Sequence, residues 1–426
     1  MQRQFRSVAV INPLADYGIS EYSHELAEGL CANGVRVDLY TTAIPTMAGR
    51  PRRHRLFPVL GSPLFRQRAL VERRIPAPAR KSSFQPANGV AVSERVRDPL
   101  LERVRRFFLP VELALHLRRR GYDLVWTQWP FLGPYGVGFL SACRSLGLPV
   151  LHTVHNVLPH EPEPGDDEIC RRVYRTADAL VVHSEQSRAE LAAFEPATIG
   201  KTIVAPHGLY EGYPRRPERR DAVRRELDLP TDAPVILMFG ALRPYKNVDA
   251  VLESLRDPRL AAARLIVAGR ERKFPDLVPG DLVGRTRRLA AALGVLDRIR
   301  PLPGPFDHER TAELFEASDI VALPYLRSYG SGQLLLAMTF GKHVAATPVG
   351  GAAEYCVHYP RHTLLSGPSV PEVAAGLAEA AATVASGREA PAPPRVSLDR
   401  LRWPTVARRT LEALSALTAR RPGSAN

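Results

Sequence analysis

Short runs rich in apolar and β-favouring residues recur along the chain, each followed by a stretch with helical spacing of its apolar positions. The first series is SVAVIN (7–12), VRVDLYT (35–41), DLVWTQ (123–128), PVLHTV (149–154), ALVVHS (179–184) and TIVAP (202–206). A second series follows: PVILMFG (234–240), ARLIVAG (263–269), the weaker IRPLPG (299–304), IVALPY (320–325) and HVAAT (343–347). Continuous rather than alternating apolar runs predict strands buried on both faces, as parallel sheets require. Strands that alternate with helices predict right-handed βαβ units. The chain therefore reads as α/β, with two Rossmann-like doubly wound domains and a linker at the Pro/Arg-rich YEGYPRRPERR (210–220).

Two segments break the alternation. Residues 45–98 form a Pro- and Arg-rich excursion too long for a compact domain without a purpose of its own. The next segment, DPLLERVRRFFLPVELALHLRRRGYD (98–123), is amphipathic and basic, and Pro110 is expected to kink or split it. Such a helix either packs on its sheet with a solvated arginine face or lies on an anionic membrane. A last helical pattern, WPTVARRTLEALSAL (403–417), precedes the tail ARRPGSAN, which is expected to fray.

Composition narrows the classes. The 426 residues suit two or three domains at about 150 residues each. Hydrophobic residues make up 45%, ordinary for a globular chain, which excludes collagen-like and disordered classes. The formal net charge of +14 favours anionic partners, although a plain preference for arginine explains part of it. Cys31, Cys143, Cys170 and Cys356 are scattered with no C-x-x-C pair, so disulfide, zinc and iron–sulfur frameworks lack support and a reducing cytoplasm fits. The start, MQRQFRSVAVINP, carries no apolar signal core, and no run of about 18 apolar residues suggests a membrane span. Nucleic acid is not expected, because basic and aromatic residues are not interleaved and no recognition motif is present.

In open α/β sheets ligands bind beyond the carboxyl ends of the strands, so the residues directly after each run carry the candidate chemistry. The first turn lacks G-x-G-x-x-G, which excludes the dinucleotide fingerprint, yet Gly18 before a helix leaves backbone amides open. After PVLHTV come His155, His160 and Glu161; His152 and His155 straddle the strand end and should point opposite ways, against a metal site. After PVILMFG, Arg243 and Lys246 stand beside a helix start, an arrangement suited to a diphosphate. After IVALPY, Gly330, Ser331, Gly332 and Gln333 lead into a helix, and Gly350 and Gly351 open the next loop. A plain turn at Gly18, a satisfied structural histidine at His155 and a solvated basic loop at Arg243 and Lys246 are the alternatives. The functional reading depends on several anion-suited turns sharing one edge of two sheets.

Taken together, HTVHNVLPHE, VVHSEQSRAEL, TIVAPHGLYEGY, FGALRPYKNVDAVLESL, LFEASDIVALPYLRSYGSGQLLLAMTFGKHVAATPVGGAAEY and the Trp403 helix resemble the retaining glycosyltransferases of family 4. That resemblance implies the GT-B fold: an acceptor-side domain over 1–209, a nucleotide-sugar domain over 210–402, a helix over 403–420 that returns to the first domain, and a tail over 421–426. It implies transfer of a sugar from a nucleoside diphosphate to a glycan or lipid-linked acceptor without metal or other cofactor. It also implies a cytoplasmic location, peripheral on the inner membrane face if the acceptor is lipid-linked. Lys246 matches the family's diphosphate lysine and His155 its active-site histidine. Gly240 is the glycine after the strand. Ala241 stands where the family has arginine, with Arg243 as candidate replacement. Ser328 and Leu336 replace the glutamates of the E-x(7)-E motif, which leaves Ser331, Gly332, Gln333, Gly350, Gly351 and Glu354 to hold the nucleotide. Loss of those glutamates also admits a different class, a catalytically silent binding subunit with the same fold.

Overall fold

A computed structural model describes residues 4–13, 18–41, 52–57, 99–129, 134–159, 162–270, 282–387 and 398–419. The chain forms two compact units, Met1–Pro206 with Trp403–Asn426, and His207–Arg402. Each is an all-parallel sheet flanked by helices, so both units have the Rossmann-like architecture of the GT-B class.

The first unit contains β1 (Ser7–Asn12), β2 (Arg36–Thr41), β3 (Arg55–Phe57), β4 (Leu124–Thr127), β5 (Val150–Thr153), β6 (Ala179–Val182) and β7 (Thr202–Val204). Their order is β3-β2-β1-β4-β5-β6-β7, with the direction of winding reversing between β1 and β4. Every residue of β1, β4, β5 and β6 is buried, as their apolar-rich sequences favour. The helix Trp403–Ala419 belongs to this unit and packs on the helix Gly18–Ala32. Gly29 makes that contact possible: a Cβ there would lie 2.6 Å from the backbone of Trp403. Asn33 Nδ2 adds hydrogen bonds to the carbonyls of Gly29 and Pro404, both 2.8 Å.

The second unit contains β8 (Val235–Phe239), β9 (Arg264–Gly269), β10 (Ile299–Pro303), β11 (Ile320–Leu323), β12 (His343–Ala346) and β13 (His362–Leu364), in the order β10-β9-β8-β11-β12-β13. Val235 and Leu237 enter the core on one face of the sheet, Ile236 and Met238 that on the other. The winding reverses between β8 and β11, so a crevice opens at the carboxyl ends of those two strands. The loops after β8 and β11 are the two that carry the Arg243–Lys246 and Ser331–Gln333 signals.

Four sequence expectations are corrected. Residues 210–220 are not a linker. Leu209, Tyr210 and Tyr213 are core residues of the second unit, and Arg215, Arg216, Arg219 and Arg220 pair with Glu316, Glu309, Glu313 and Asp319. The division of the chain falls at 206/207 rather than 209/210. Of the two outcomes expected at Pro110, a kink or a split, the split does not occur: one helix runs Pro99–Arg120. Finally, β3 lies inside the supposed irregular excursion 45–98, and β13 follows the last expected strand. The rest of the excursion beyond 52–57, and the tail from 420, lie outside the described residues.

Candidate active site

At the end of β8 the backbone turns through Gly240, whose φ of 95° is open to glycine alone at low cost. A Cβ at Gly240 would lie 2.8 Å from Gln333 Nε2 and 3.1 Å from Lys246 Nζ, so the bare backbone lets these two side chains meet above it. Gly240 is itself backed by Gly269 at the end of β9, where a Cβ would stand 1.8 Å from the Gly240 carbonyl oxygen. A Cβ on Gly304, after β10, would come within 3.0 Å of Gly269. Three neighbouring strands thus end in glycines that let the loops stack backbone on backbone.

Lys246 closes a single turn, Pro244–Lys246, and Asn247 at φ 59° redirects the chain into the helix Val248–Ser254. The sequence placed the lysine beside a helix start, as a fixed cation for a diphosphate. Its side chain folds back over β8, is 2% exposed, and donates to the Phe239 carbonyl at 2.8 Å. Burial, with Arg243 as a like charge nearby, pulls its pKa from 10.5 down to about 7. Its Nζ lies 5.8 Å from the Tyr325 ring centroid, and the Tyr325 hydroxyl donates to Gln333 Oε1 at 3.5 Å. Burial pushes the Tyr325 hydroxyl well above the usual range, which keeps it a donor.

Ser331 caps the helix Gly332–Thr339 by accepting from Leu334 N at 3.2 Å. The helix begins against Tyr210, whose hydroxyl lies 2.8 Å from where a Gly332 Cβ would be and 3.2 Å from His207 Nε2. Gly350 has φ 62° and brings the loop after β12 onto Ser328, with a Cβ position 2.7 Å from the Ser328 carbonyl. Ser328 Oγ is spent on Gly330, and Leu336 is core, so neither substitutes for a carboxylate. Gly351 (φ 79°) starts the short helix Ala352–Cys356, where Glu354 is exposed. The structure therefore gathers Gly240, Lys246, Gln333, Ser331 and Gly332, with Arg243 within electrostatic reach. Gly350 stands one loop away, and Gly351 and Glu354 follow it.

In the first unit His155 follows β5. Its ring stands edge-on to Tyr22 at 4.6 Å, with Nε2 3.3 Å from Gln128 Oε1 and Nδ1 3.5 Å from His183 Nε2. His152 points the other way, toward Thr127 Oγ1 at 2.8 Å, as strand alternation requires, and complete burial pulls its pKa down to about 3. A cavity of about 10 Å³ beside these residues, lined by His152, His155, Asn156 and Tyr174 among others, has room for one water. Gly18 opens the helix Gly18–Ala32, and a Cβ there would meet nothing within 4 Å, so no crowding demands glycine. His160 and Glu161 lie outside the described residues. Among the described residues no three His, Cys, Asp or Glu gather as a metal site.

Sequence reasoning missed Gly269, Gly304, Tyr210, Tyr325, Gln128 and His183. The signal was available for two of them, since Gln128 and His183 close the runs DLVWTQ and ALVVHS and stand directly after the strands Leu124–Thr127 and Ala179–Val182.

Residues 17–210 match the family described as Glycosyltransferase Family 4, and residues 219–383 that described as Glycosyl transferases group 1. The chain is 31% identical to D-inositol 3-phosphate glycosyltransferase 2 of Catenulispora acidiphila over 58% of its own length and 59% of that protein's. It is 31% identical to D-inositol 3-phosphate glycosyltransferase of Mycobacterium bovis, over 62% of this chain and 57% of the relative. The chain thus matches less than two thirds of the length of these relatives. Among solved structures, Anabaena HepE in complex with UDP and glucose superposes with a TM-score of 0.66 at 17% identity, covering 97% of this chain and 100% of that one. A glycosyltransferase from Rickettsia africae gives 0.67 at 14% identity over 98% of this chain and 100% of that one. These likenesses show the fold.

Proposed function

The chain belongs to glycosyltransferase family 4, and from that premise we propose that it moves a hexosyl group from a nucleoside-diphosphate sugar to a glycan or lipid-linked acceptor, with retention of configuration. The observation that carries this reading is the buried Lys246 beside Gly240 and Gln333 at the switch point of the second sheet. Burying an ammonium is costly unless an anion arrives to pair with it. Of its three N–H groups one goes to Phe239, which leaves two for a ligand. A diphosphate supplies the missing charge.

As the glycosidic bond loosens, negative charge grows on the departing diphosphate. Lys246 and Arg243 meet it with fixed positive charge, and the start of the helix Gly332–Thr339 adds backbone N–H groups and the positive end of its dipole. Gln333 offers its amide N–H beside Lys246, where a carboxylate would repel phosphate. Gly240, Ser331, Gly332 and Gly350 shape the backbone of this wall, and Gly351 and Glu354 follow as candidate contacts to the nucleoside. His155 is assigned to the reacting sugar, Gly18 to the donor and the rest of their unit to the acceptor. No step requires a metal ion.

The acceptor bears on location. The helix Pro99–Arg120 exposes Val111, Leu115, Arg118 and Arg119, an apolar and basic strip suited to the surface of an anionic membrane. Among the described residues no helix is long and apolar enough to cross a membrane. We assign the protein to polysaccharide or glycolipid assembly at the inner, cytoplasmic face of a membrane. Release of nucleoside diphosphate across a panel of sugar nucleotides, with glycan, lipid-linked and inositol 3-phosphate acceptors, tests the activity. Donor binding with no turnover on any acceptor would favour a silent subunit.

A further inference from the structure

Behind His155 the first unit holds a row of groups that the proposed reaction leaves unused. Gln128, His155, His183 and Ala205 lie just beyond the carboxyl ends of β4, β5, β6 and β7, four neighbouring strands. Their polar atoms form a line across the sheet edge. His183 Nδ1 lies 3.0 Å from the Ala205 carbonyl oxygen, and His183 Nε2 lies 3.5 Å from His155 Nδ1. His155 Nε2 lies 3.3 Å from Gln128 Oε1. The Tyr22 ring packs against both imidazoles, with centroids 4.6 Å from His155 and 5.2 Å from His183.

The protons along this line follow from what each atom can do. A carbonyl oxygen only accepts, so His183 Nδ1 carries the hydrogen. Its Nε2 keeps a lone pair, because a second proton would leave a cation in a fully buried site. Burial accordingly pulls the His183 pKa down to about 4. That lone pair accepts, so the facing His155 Nδ1 is the donor. One nitrogen of His155, Nε2, is then left to gain or lose a proton. Gln128 suits either form, since its amide N–H donates to a neutral ring and its Oε1 accepts from a protonated one. With Oε1 toward the ring, Gln128 Nε2 is buried without a partner, and turning the amide over removes that defect for the neutral form.

We propose that His183 is a positioning residue: held by the Ala205 carbonyl, it fixes His155 as the Nδ1–H tautomer and holds its ring plane, so that Nε2 alone exchanges a proton. The consequence for turnover rests on the transferase reading; the tautomer does not.

Labelling the full chain with nitrogen-15 histidine and recording a two-bond proton–nitrogen correlation spectrum in mildly alkaline buffer reads each tautomer, with His155→Gln supplying the assignment. The expected result is a protonated Nδ1 and a bare Nε2 on His155. A protonated Nε2 with a bare Nδ1 would overturn the proposal whether or not the protein transfers sugar. His183→Phe keeps the ring volume and removes the acceptor, and it should let His155 populate both tautomers. The same variant should lower kcat by about 10- to 100-fold, the range found when partners behind a ligating histidine are removed, with KM for the donor unchanged. His183→Gln, which returns an acceptor near the Nε2 position, should recover the tautomer and much of kcat. An unchanged His155 tautomer in folded His183→Phe would also overturn it, and the wild-type spectrum decides the matter if that variant does not fold.

Discussion

A methyl group on Gly269 would sit 1.8 Å from the carbonyl oxygen of Gly240, so the loop that shapes the candidate donor site rests directly on the end of the neighbouring strand. Gly269→Ala cannot be absorbed by a side-chain movement, because the atom it meets is backbone. The substitution should cost about 1–3 kcal/mol of stability, as overpacking does, and weaken donor binding by displacing Gly240. Gly138 is a control: it is exposed in the helix Pro134–Ser145 with nothing within 4 Å of a Cβ. Gly138→Ala should raise stability by about 0.5–1 kcal/mol. Urea unfolding of both variants separates the two effects.

Lys246 makes donor binding depend on pH. Its pKa is lowered to about 7, so the free protein loses this charge as pH rises through that value. An arriving diphosphate pulls the pKa back up and binding takes up a proton. Donor affinity should therefore fall as pH rises above about 7, and calorimetry in buffers of different ionisation enthalpy should register proton uptake. The sign for stability is opposite. Between about 7 and 10.5 the unfolded chain holds the extra proton, so this group's contribution to stability grows with pH across that window. Lys246→Met should consequently raise the melting temperature most below pH 7 and progressively less above it.

Arg224 should be the least replaceable cation of the second unit's framework. It is fully buried and donates to the carbonyls of Ala317, Pro230, Thr231 and Ala233 and to Asp319 Oδ2, which also accepts from Val235 N. Arg224→Met leaves Asp319 with Arg220 and the Val235 N–H and takes the donor from four carbonyls at once, so it should destabilise by about 3–5 kcal/mol. Arg224→Lys should recover little, because an ammonium cannot reproduce the guanidinium fork. Denaturant titration of the three proteins checks this.

The sheets were readable because their strands are buried on both faces and leave unbroken apolar runs. Strand β3 escaped because RLF opens with an exposed arginine inside a basic stretch. Strand β13 escaped because HTL is three residues long and two of them are polar. The arginines of 215–220 looked like a solvated linker because the acids that pair with them lie some ninety or more positions away, on 309–319, a separation no local window spans. At the site, the strand-end rule found His155, Lys246 and Gln333, and the family resemblance added Gly240, but neither could show that Lys246 folds inward. That depends on Gly240 having no side chain and on the Phe239 carbonyl beneath it.

The helix Pro99–Arg120 gives the membrane assignment a direct check. Val111 is 45% and Leu115 37% exposed, one turn apart on the face that continues to Arg118 and Arg119. Wild-type protein should sediment with vesicles containing anionic lipid and not with neutral ones. Charge removal in the pair Arg118→Gln and Arg119→Gln should weaken this binding, as should Val111→Ser with Leu115→Ser. Equal sedimentation with neutral and anionic vesicles would argue against electrostatic docking.

The central claim is that Lys246 stabilises a departing diphosphate. Its most direct test compares nucleoside-diphosphate release by the wild type and by Lys246→Ala on the best donor and acceptor of the panel, after circular dichroism shows both to be folded. Loss of a preorganised donor of this kind costs about 10²–10³-fold in rate, and a drop of that size is the expected result. Turnover close to wild type in folded Lys246→Ala would contradict the account.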